Sequence, residues 1–146
     1  MSVERLAHAL ESLDFNANCV VAIAHHEAFR YASGFIASAH LLLGLLAVDP
    51  APVLTQRPGQ DRPVLAELRS QLELLMGAHI QPRARVLHLP YTPHARAILI
   101  NAADRAQRIQ SAITTTGHLW SALAASEGSL AARALDALHL LGQEPS

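Results

Sequence analysis

The sequence of 146 residues contains no lysine, a single cysteine and few aromatic residues. Without lysine it cannot form a phosphate-binding loop of the Gly-x-x-x-x-Gly-Lys-Ser/Thr type. A formal net charge of −1 gives no basic face for phosphates, so we expect no nucleic-acid partner. One cysteine, Cys19, excludes both an intramolecular disulfide and a cysteine-based zinc site.

Long hydrophobic runs and a signal-peptide pattern are also missing. The longest apolar run, residues 41–48, is far shorter than a membrane span. The first five residues lack the charged start and apolar core of a secretory leader. We therefore expect a soluble, cytoplasmic protein with no membrane partner. About half of the residues are apolar, with many Ala and Leu, which favours a well-buried helical body.

A repeated unit dominates what is present. Residues 35–46 (FIASAHLLLGLL) indicate a helix start followed by an apolar helix, and residues 113–124 (ITTTGHLWSALA) form a weaker copy. His40 and His118 are separated by an offset of 78 residues. The same offset superposes cap on cap and core position on core position: Leu13 on Tyr91, Asp14 on Thr92, Ala17 on Ala95, Ala24 on Ala102, and Phe35 on Ile113. A duplicated helical unit follows from this pattern.

The duplication predicts a single all-α domain over residues 1–146. Its parts are an extra N-terminal helix (2–12), repeat one (about 13–77), a connector (about 78–89) and repeat two (about 90–142). Periodicity and caps predict the later helices: 15–32 after Asp14, 39–48 after Ser38, 63–77, 93–110 after Thr92, 117–125 after Thr116, and one from Gly128 or Ser129 to Gly142. Residues 49–52 predict a helix stop and 56–63 a loop. The helix from residue 39 is apolar on nearly all sides, so we expect it at the centre.

Two segments resemble the Clp N-terminal domain family. Residues 88–99 (HLPYTPHARAIL) are similar to the opening of that family's second repeat, where each repeat begins Phe-Thr-Pro/Glu-Arg-Ala. Residues 37–46 (ASAHLLLGLL) and, more weakly, 115–123 (TTGHLWSAL) are similar to its Gly-Thr-Glu-His-Leu-Leu-Leu-Gly-Leu-Leu motif. Residues 128–135 resemble its third helix. The resemblance implies a stand-alone Clp N-domain, without ATPase modules, in which two pseudo-symmetric helical repeats form one bundle.

The function implied by this resemblance is protein interaction. The family domain recruits substrates and adaptors for Clp unfoldase ATPases, so we expect a non-enzymatic module without a cofactor. Its partners would be Clp ATPase or protease components, adaptors or client polypeptides. We place its binding surface in the groove between the repeats, near Leu13, Asp14, Tyr91 and Thr92. The alternative is sequestration of small molecules or cyclic peptide antibiotics at this inter-repeat surface, which captures such peptides in the family.

Departures from the family pattern argue against one known ligand. Some members bind phosphoarginine through an Arg just before the Phe-Thr and through the Glu of Glu-His. The Arg positions here are Ser12 and Pro90, and the Glu positions are Ala39 and Gly117. Without these charges the bidentate, charge-assisted contacts are lost, so we do not expect phosphoarginine binding. The segment 49–59, with three prolines, also replaces the family's third helix in repeat one.

Nine histidines raise the possibility of a metal site. Adjacent His25 and His26 point apart on a helix, and no His pair has the metalloprotease spacing. His40 and His118 stand at equivalent helix starts, where hydrogen bonding to the neighbouring backbone is favoured over metal binding. We therefore predict structural histidines and no metal.

Other reactive or contact residues have two interpretations each. Cys19 lies beside a buried stripe without a placed base, which favours a small packed residue over a nucleophile. No serine lies in a nucleophile-elbow context, so an enzyme is the least favoured hypothesis. Trp120 is expected in the core, or on a contact surface if exposed. Several arginines are expected on a solvated face, with a protein-binding surface as the alternative: Arg83, Arg85, Arg96, Arg105 and Arg108.

Overall fold

The structure is a computed structural model that describes residues 2–56, 58–77 and 89–140. Those residues form eight helices and no strand, which confirms the all-α fold. The helices are α1 (Ser2–Glu11), α2 (Phe15–Arg30), α3 (Ser38–Val48), α4 (Ala51–Leu54), α5 (Asp61–Met76), α6 (Pro93–Arg108), α7 (Thr116–Ala124) and α8 (Leu130–Ala137). Within the described ranges, none of them combines the length and hydrophobicity that a bilayer crossing requires.

Helix α3 lies at the centre of the bundle, as its apolar sequence predicts. Nine consecutive residues, from Ser38 to Leu46, are buried. The helix contacts α2, α5, α6, α7 and α8. Its closest neighbour is α2, because Gly44 has no side chain and a Cβ there would collide with the carbonyl oxygen of Val20. Helices α6 and α7 form the equivalent pair in repeat two.

Two short backbone bridges join the repeats, and the offset of 78 residues converts one bridge into the other. One bridge pairs Leu13 with Thr114 and the other pairs Tyr91 with Ile36. Four N–H to C=O hydrogen bonds make them: Asp14 to Thr114 (3.0 Å), Thr114 to Ser12 (2.7 Å), Thr92 to Ile36 (3.0 Å) and Ile36 to Pro90 (2.8 Å). The start of each repeat therefore pairs with the other repeat in the same way, so the two repeats are related by a pseudo-twofold axis.

The starts of α3 and α7 each lie one residue earlier than predicted. Ala37 and Thr115 are the N-caps, so Ser38 and Thr116 are the first helical residues. Their hydroxyls reach the opposite repeat instead. The Ser38 Oγ accepts a hydrogen bond from the N–H of Ala131 in α8 (3.2 Å). The Thr116 Oγ1 donates to the Asp49 carboxylate at the end of α3 (2.9 Å).

The boundaries of α4, α5 and α8 also differ from the predictions. Residues 51–54 form a single helical turn, where only a stop was expected. Helix α5 begins at Asp61, two residues before the predicted start at Pro63. The helix can include Pro63, because the N–H groups of the first turn have no intrahelical acceptor and a proline there loses no hydrogen bond. It ends at Met76, and the predicted Gly77 is its C-cap, with a φ of 63°. Helix α8 follows Ser129 and ends at Ala137. The predicted connector lies almost wholly outside the described residues, as do the last residues expected in α8.

Helix α1 lies along α6, outside the repeated unit. Ala9 is buried, and Leu6 and Leu10 pack against the core. An ion pair joins Arg5 Nη2 to Asp104 Oδ2 at 3.0 Å. Both partners are largely exposed, so this pair adds little stability, and the apolar contacts account for the position of α1.

Candidate interaction surface

The four residues predicted for the inter-repeat surface all lie at the two bridges. The Leu13 side chain is buried in the core, and that of Tyr91 is half-buried, which raises the pKa of its hydroxyl. The side chains of Asp14 and Thr92 accept hydrogen bonds from the first turns of α2 and α6, at 2.8 and 3.2 Å. Leu13, Asp14 and Thr92 thus have structural roles, and Tyr91 presents part of its ring to solvent.

Exposed apolar side chains flank the bridges, and sequence reasoning did not identify them as exposed. Phe35 is 55% exposed and its repeat-two counterpart Ile113 is 53% exposed. The Ser33 hydroxyl accepts from the Phe35 N–H (3.1 Å) and donates to its carbonyl (2.7 Å). Ser111 holds Ile113 in the same way, at 3.2 and 2.8 Å. Phe15, at the start of α2, is 80% exposed. The two repeats therefore present apolar side chains from matching backbone turns.

His40 and His118 accept equivalent hydrogen bonds at their helix starts. The Nδ1 of His40 accepts from the N–H of Ala37 at 2.9 Å, and the Nδ1 of His118 accepts from the N–H of Thr115 at 3.0 Å. In repeat two the Thr115 hydroxyl also accepts from the His118 N–H (3.4 Å), which completes a capping box. Alanine at position 37 cannot make that second bond, so the ring alone provides the side-chain part of the α3 cap.

The two histidine rings differ in their surroundings. His40 is buried, whereas His118 is half-buried. The Nε2 of His40 is inaccessible to solvent and has no hydrogen-bond partner. Burial lowers the pKa of His40 to about 4, although the nearby Glu27 carboxylate acts in the opposite direction. The ring is therefore neutral at physiological pH.

An ionic network around the buried Glu27 carboxylate joins α5 to α2. Arg69 donates to both carboxylate oxygens of Glu27, at 3.0 and 3.1 Å, and Arg30 lies 3.3 Å from one of them. The Tyr31 hydroxyl accepts from Arg69 (2.7 Å) and donates to Glu73 (2.8 Å). Burial alone would raise the pKa of Glu27, but the hydrogen bonds and charge of Arg69 outweigh it and hold the pKa below its usual value. The carboxylate is therefore charged and paired.

Of the remaining candidate residues, Arg105 has an unsatisfied group, because its Nε is buried without a hydrogen-bond partner. Trp120 is buried, and its Nε1 donates to the carbonyl of Asp49 at 2.9 Å, so it is a core residue. Cys19 is half-buried. Among the predicted arginines that the structure describes, Arg108 is exposed, and Arg96 and Arg105 are half-buried. Over residues 2–56, 58–77 and 89–140, no three His, Cys, Asp or Glu side chains are grouped to hold a metal ion.

Comparison with known proteins identifies the fold. No family model matches the sequence, and no curated protein matches it. Among solved structures, the chain is similar to the N-terminal domain of the caseinolytic protease associated chaperone ClpD from Arabidopsis thaliana. That similarity has a TM-score of 0.67 at 17% sequence identity and covers 89% of this chain and 86% of the other. The protein thus has a Clp N-domain-like fold, which confirms the fold that residues 37–46 and 88–99 implied.

Proposed function

We propose that the protein is a non-enzymatic interaction module that acts in the cytoplasm. Its partners would be Clp ATPase or protease components, adaptors or client polypeptides. The observation that carries this proposal is the similarity in fold to the ClpD N-terminal domain over 89% of the chain. The polar groups at the bridges support a binding role over a chemical one, since Asp14, Thr92 and the two motif histidines make helix-capping hydrogen bonds.

The surface around the two bridges is the proposed site of contact. We define this seam surface by Phe15, Phe35, Tyr91 and Ile113, with the predicted Leu13, Asp14 and Thr92 fixing the backbone beneath them. Exposed aromatic and apolar side chains concentrated on one surface are typical of protein interfaces. Aromatic anchors also supply a large share of binding energy.

The direct test is binding to purified Clp ATPase and protease subunits from the source cells, measured by surface plasmon resonance. The wild-type protein should bind at least one of them. Phe35→Ser and Ile113→Ser should each weaken binding by about tenfold, since each removes an apolar contact. Leu74→Ser is the matched control, because Leu74 is an exposed apolar residue of α5 outside the seam surface. Absence of binding, or an equal effect of Leu74→Ser, would contradict the proposal.

Sequestration of small molecules or cyclic peptides is the second proposal for the same surface. The exposed Phe15 and Phe35 rings favour it, because cyclic peptides present apolar side chains with little conformational entropy to lose. A cyclic peptide that binds only the folded protein must raise its melting temperature. A rise that is lost in Phe35→Ser, without binding to Clp subunits, would favour this second function over the first.

A further inference from the structure

Helix α5 covers one side of repeat one, where apolar and ionic contacts hold it. It packs against α8 and α3. Its Arg69 pairs with Glu27 of α2 at 3.0 Å, and the Tyr31 hydroxyl, just after α2, bonds to both Arg69 and Glu73. Its inner face presents fully buried apolar residues at intervals of four: Val64, Leu68 and Leu72. Helix α5 is therefore an amphipathic helix with one charged contact to α2.

The offset of 78 residues maps the surface beneath α5 onto a cavity in repeat two. This cavity of about 230 Å³ lies between α4, α7 and α8. Its α7 residues correspond to residues 42, 43 and 46 of α3, and those of α4 and the turn after it correspond to residues 130, 131 and 134 of α8. Together with Arg105 and Ile109 of α6 and its C-cap, these residues define the repeat-two groove: Pro52, Val53, Gln56, Trp120, Ser121 and Ala124.

Equivalent positions are covered in repeat one and uncovered in repeat two. Leu43 and Leu46 of α3 are buried, whereas their counterparts Ser121 and Ala124 are exposed. Over residues 2–56, 58–77 and 89–140, repeat two has no helix equivalent to α5. Trp120 is nevertheless buried, so the groove has an apolar floor.

The α6 side of the groove carries the opposite charge to its counterpart in repeat one. Arg105 corresponds to Glu27, and Ile109, which is 69% exposed, corresponds to Tyr31. The Arg105 Nε is buried without a hydrogen-bond partner, and no described carboxylate pairs with this side chain. Its two Nη atoms also have no partner among the described residues but are not buried, so an incoming side chain can reach them.

An amphipathic helix matches this groove, because α5 fills the equivalent place in repeat one. The cavity is smaller than the range of about 300–1000 Å³ that is usual for ligand pockets, so it suits a few side chains of a helix better than a small molecule. Since Arg105 replaces Glu27, the helix needs an acidic residue where α5 has Arg69. Helix α5 of a second copy is disfavoured, because its Arg69 would face Arg105.

We propose that the repeat-two groove is a second interaction surface, which binds an amphipathic helix of a partner protein. Apolar residues four apart on that helix contact the cavity, and an acidic residue pairs with Arg105. The groove shares no residue with the seam surface, so the inference goes beyond the proposed function and does not depend on it.

The test uses the α5 sequence as a helical probe. One peptide comprises residues 61–76 with Arg69→Glu, and the other has the native sequence, both acetylated and amidated. Trp120 is the single tryptophan of the chain and lines the cavity, so its fluorescence reports binding. The Arg69→Glu peptide should change the emission saturably. The native peptide should bind about tenfold more weakly, because it brings two arginines together.

Variants of the protein test the charge and the groove separately. Arg105→Glu should reverse the preference, so that the native peptide binds about tenfold more tightly than the Arg69→Glu peptide; thermal unfolding checks that this variant folds. Ser121→Tyr blocks the cavity from an exposed position and should weaken binding of the Arg69→Glu peptide by at least about tenfold. Ser70→Tyr, at an exposed position of α5, is the matched control and should leave binding unchanged.

Three results would overturn the inference: no saturable response to the Arg69→Glu peptide, equal binding of both peptides to the wild-type protein, or unchanged binding to Ser121→Tyr. Tighter binding of the native peptide to the wild-type protein would instead indicate exchange of α5 between copies, and would also overturn it. Each of these results leaves the proposed function standing, because binding of Clp subunits at the seam surface is measured independently.

Discussion

At the scale of single residues, His40 combines a capping role with a buried position. Its ring accepts the N–H of Ala37, and the Tyr31 ring, just after α2, lies 6.3 Å away between centroids. His118 makes the same hydrogen bond from a half-buried position. Two histidines with one sequence motif therefore contribute differently to stability, because only one of them also fills space in the core.

Replacement of the two histidines should reveal that difference. His40→Ala removes the cap and leaves a void, and should lower the free energy of unfolding by about 2–4 kcal/mol. His118→Ala removes a cap at a half-buried site and should cost about 1 kcal/mol. Urea unfolding of both variants measures these values. Equal costs, or a larger cost for His118→Ala, would show that the burial of His40 has been misjudged.

Acid should destabilise the protein through His40. Burial lowers its pKa to about 4 in the folded state, whereas the unfolded ring titrates near 6.5. Between these values the unfolded state binds more protons, so stability falls as the pH decreases through this window. The loss approaches roughly 3 kcal/mol near pH 4. Glu27 has a lowered pKa, and its contribution is lost only at pH values below its usual 4.5.

The measurement is the free energy of unfolding as a function of pH for wild type and His40→Ala. The wild-type slope between pH 6.5 and 4.5 should exceed that of the variant, because the other histidines are common to both proteins. Parallel curves would contradict a buried, neutral His40.

At the scale of helices, the α2–α3 and α5–α2 contacts hold repeat one together. Gly44 allows α3 to approach α2, and the Glu27–Arg69 pair joins α5 to α2. A buried carboxylate needs its counter-charge, so the pair fixes where α5 can lie more than it adds to stability.

Alanine at Gly44 should disrupt the α2–α3 contact. Its Cβ would collide with the carbonyl oxygen of Val20, which belongs to helical backbone and cannot move freely. We expect a loss of at least about 2–3 kcal/mol despite the higher helix propensity of alanine. Gly117→Ala is the control, because its Cβ would meet only the Thr115 hydroxyl at 3.5 Å. That variant should be neutral or slightly stabilised, and thermal unfolding compares the two. A neutral Gly44→Ala would contradict the close helix packing.

At the scale of the whole molecule, the sequence correctly predicted the features that depend on neighbouring residues, such as helix caps. Asp14 and Thr92 were correctly assigned as caps, since a capping side chain acts within three residues of its own position. The caps of α3 and α7 were misplaced by one residue. Thr115 and Thr116 can both cap, and the contact of Thr116 with distant Asp49 helps to fix the helix start. The burial of Glu27 was unpredictable, because its partner Arg69 is 42 residues away.

The positions of the two bridges were predictable from the repeat offset, but the exposure of the side chains around them was not. Pairing Leu13-Asp14 with Tyr91-Thr92 by the repeat offset located the two bridges between the repeats. Local pattern could not show that Leu13 turns inward while Phe35 stays half-exposed, because exposure depends on how the repeats pack.

Hydrogen–deuterium exchange tests most directly that this two-repeat bundle is an interaction module which binds through its seam surface. The protein would be measured alone and in the presence of purified Clp ATPase from the source cells. Amides of residues 33–37 and 111–115 should exchange more slowly with the ATPase present, while residues 66–74 on α5 should be unchanged. Unchanged exchange throughout, or protection confined to α5, would contradict the account.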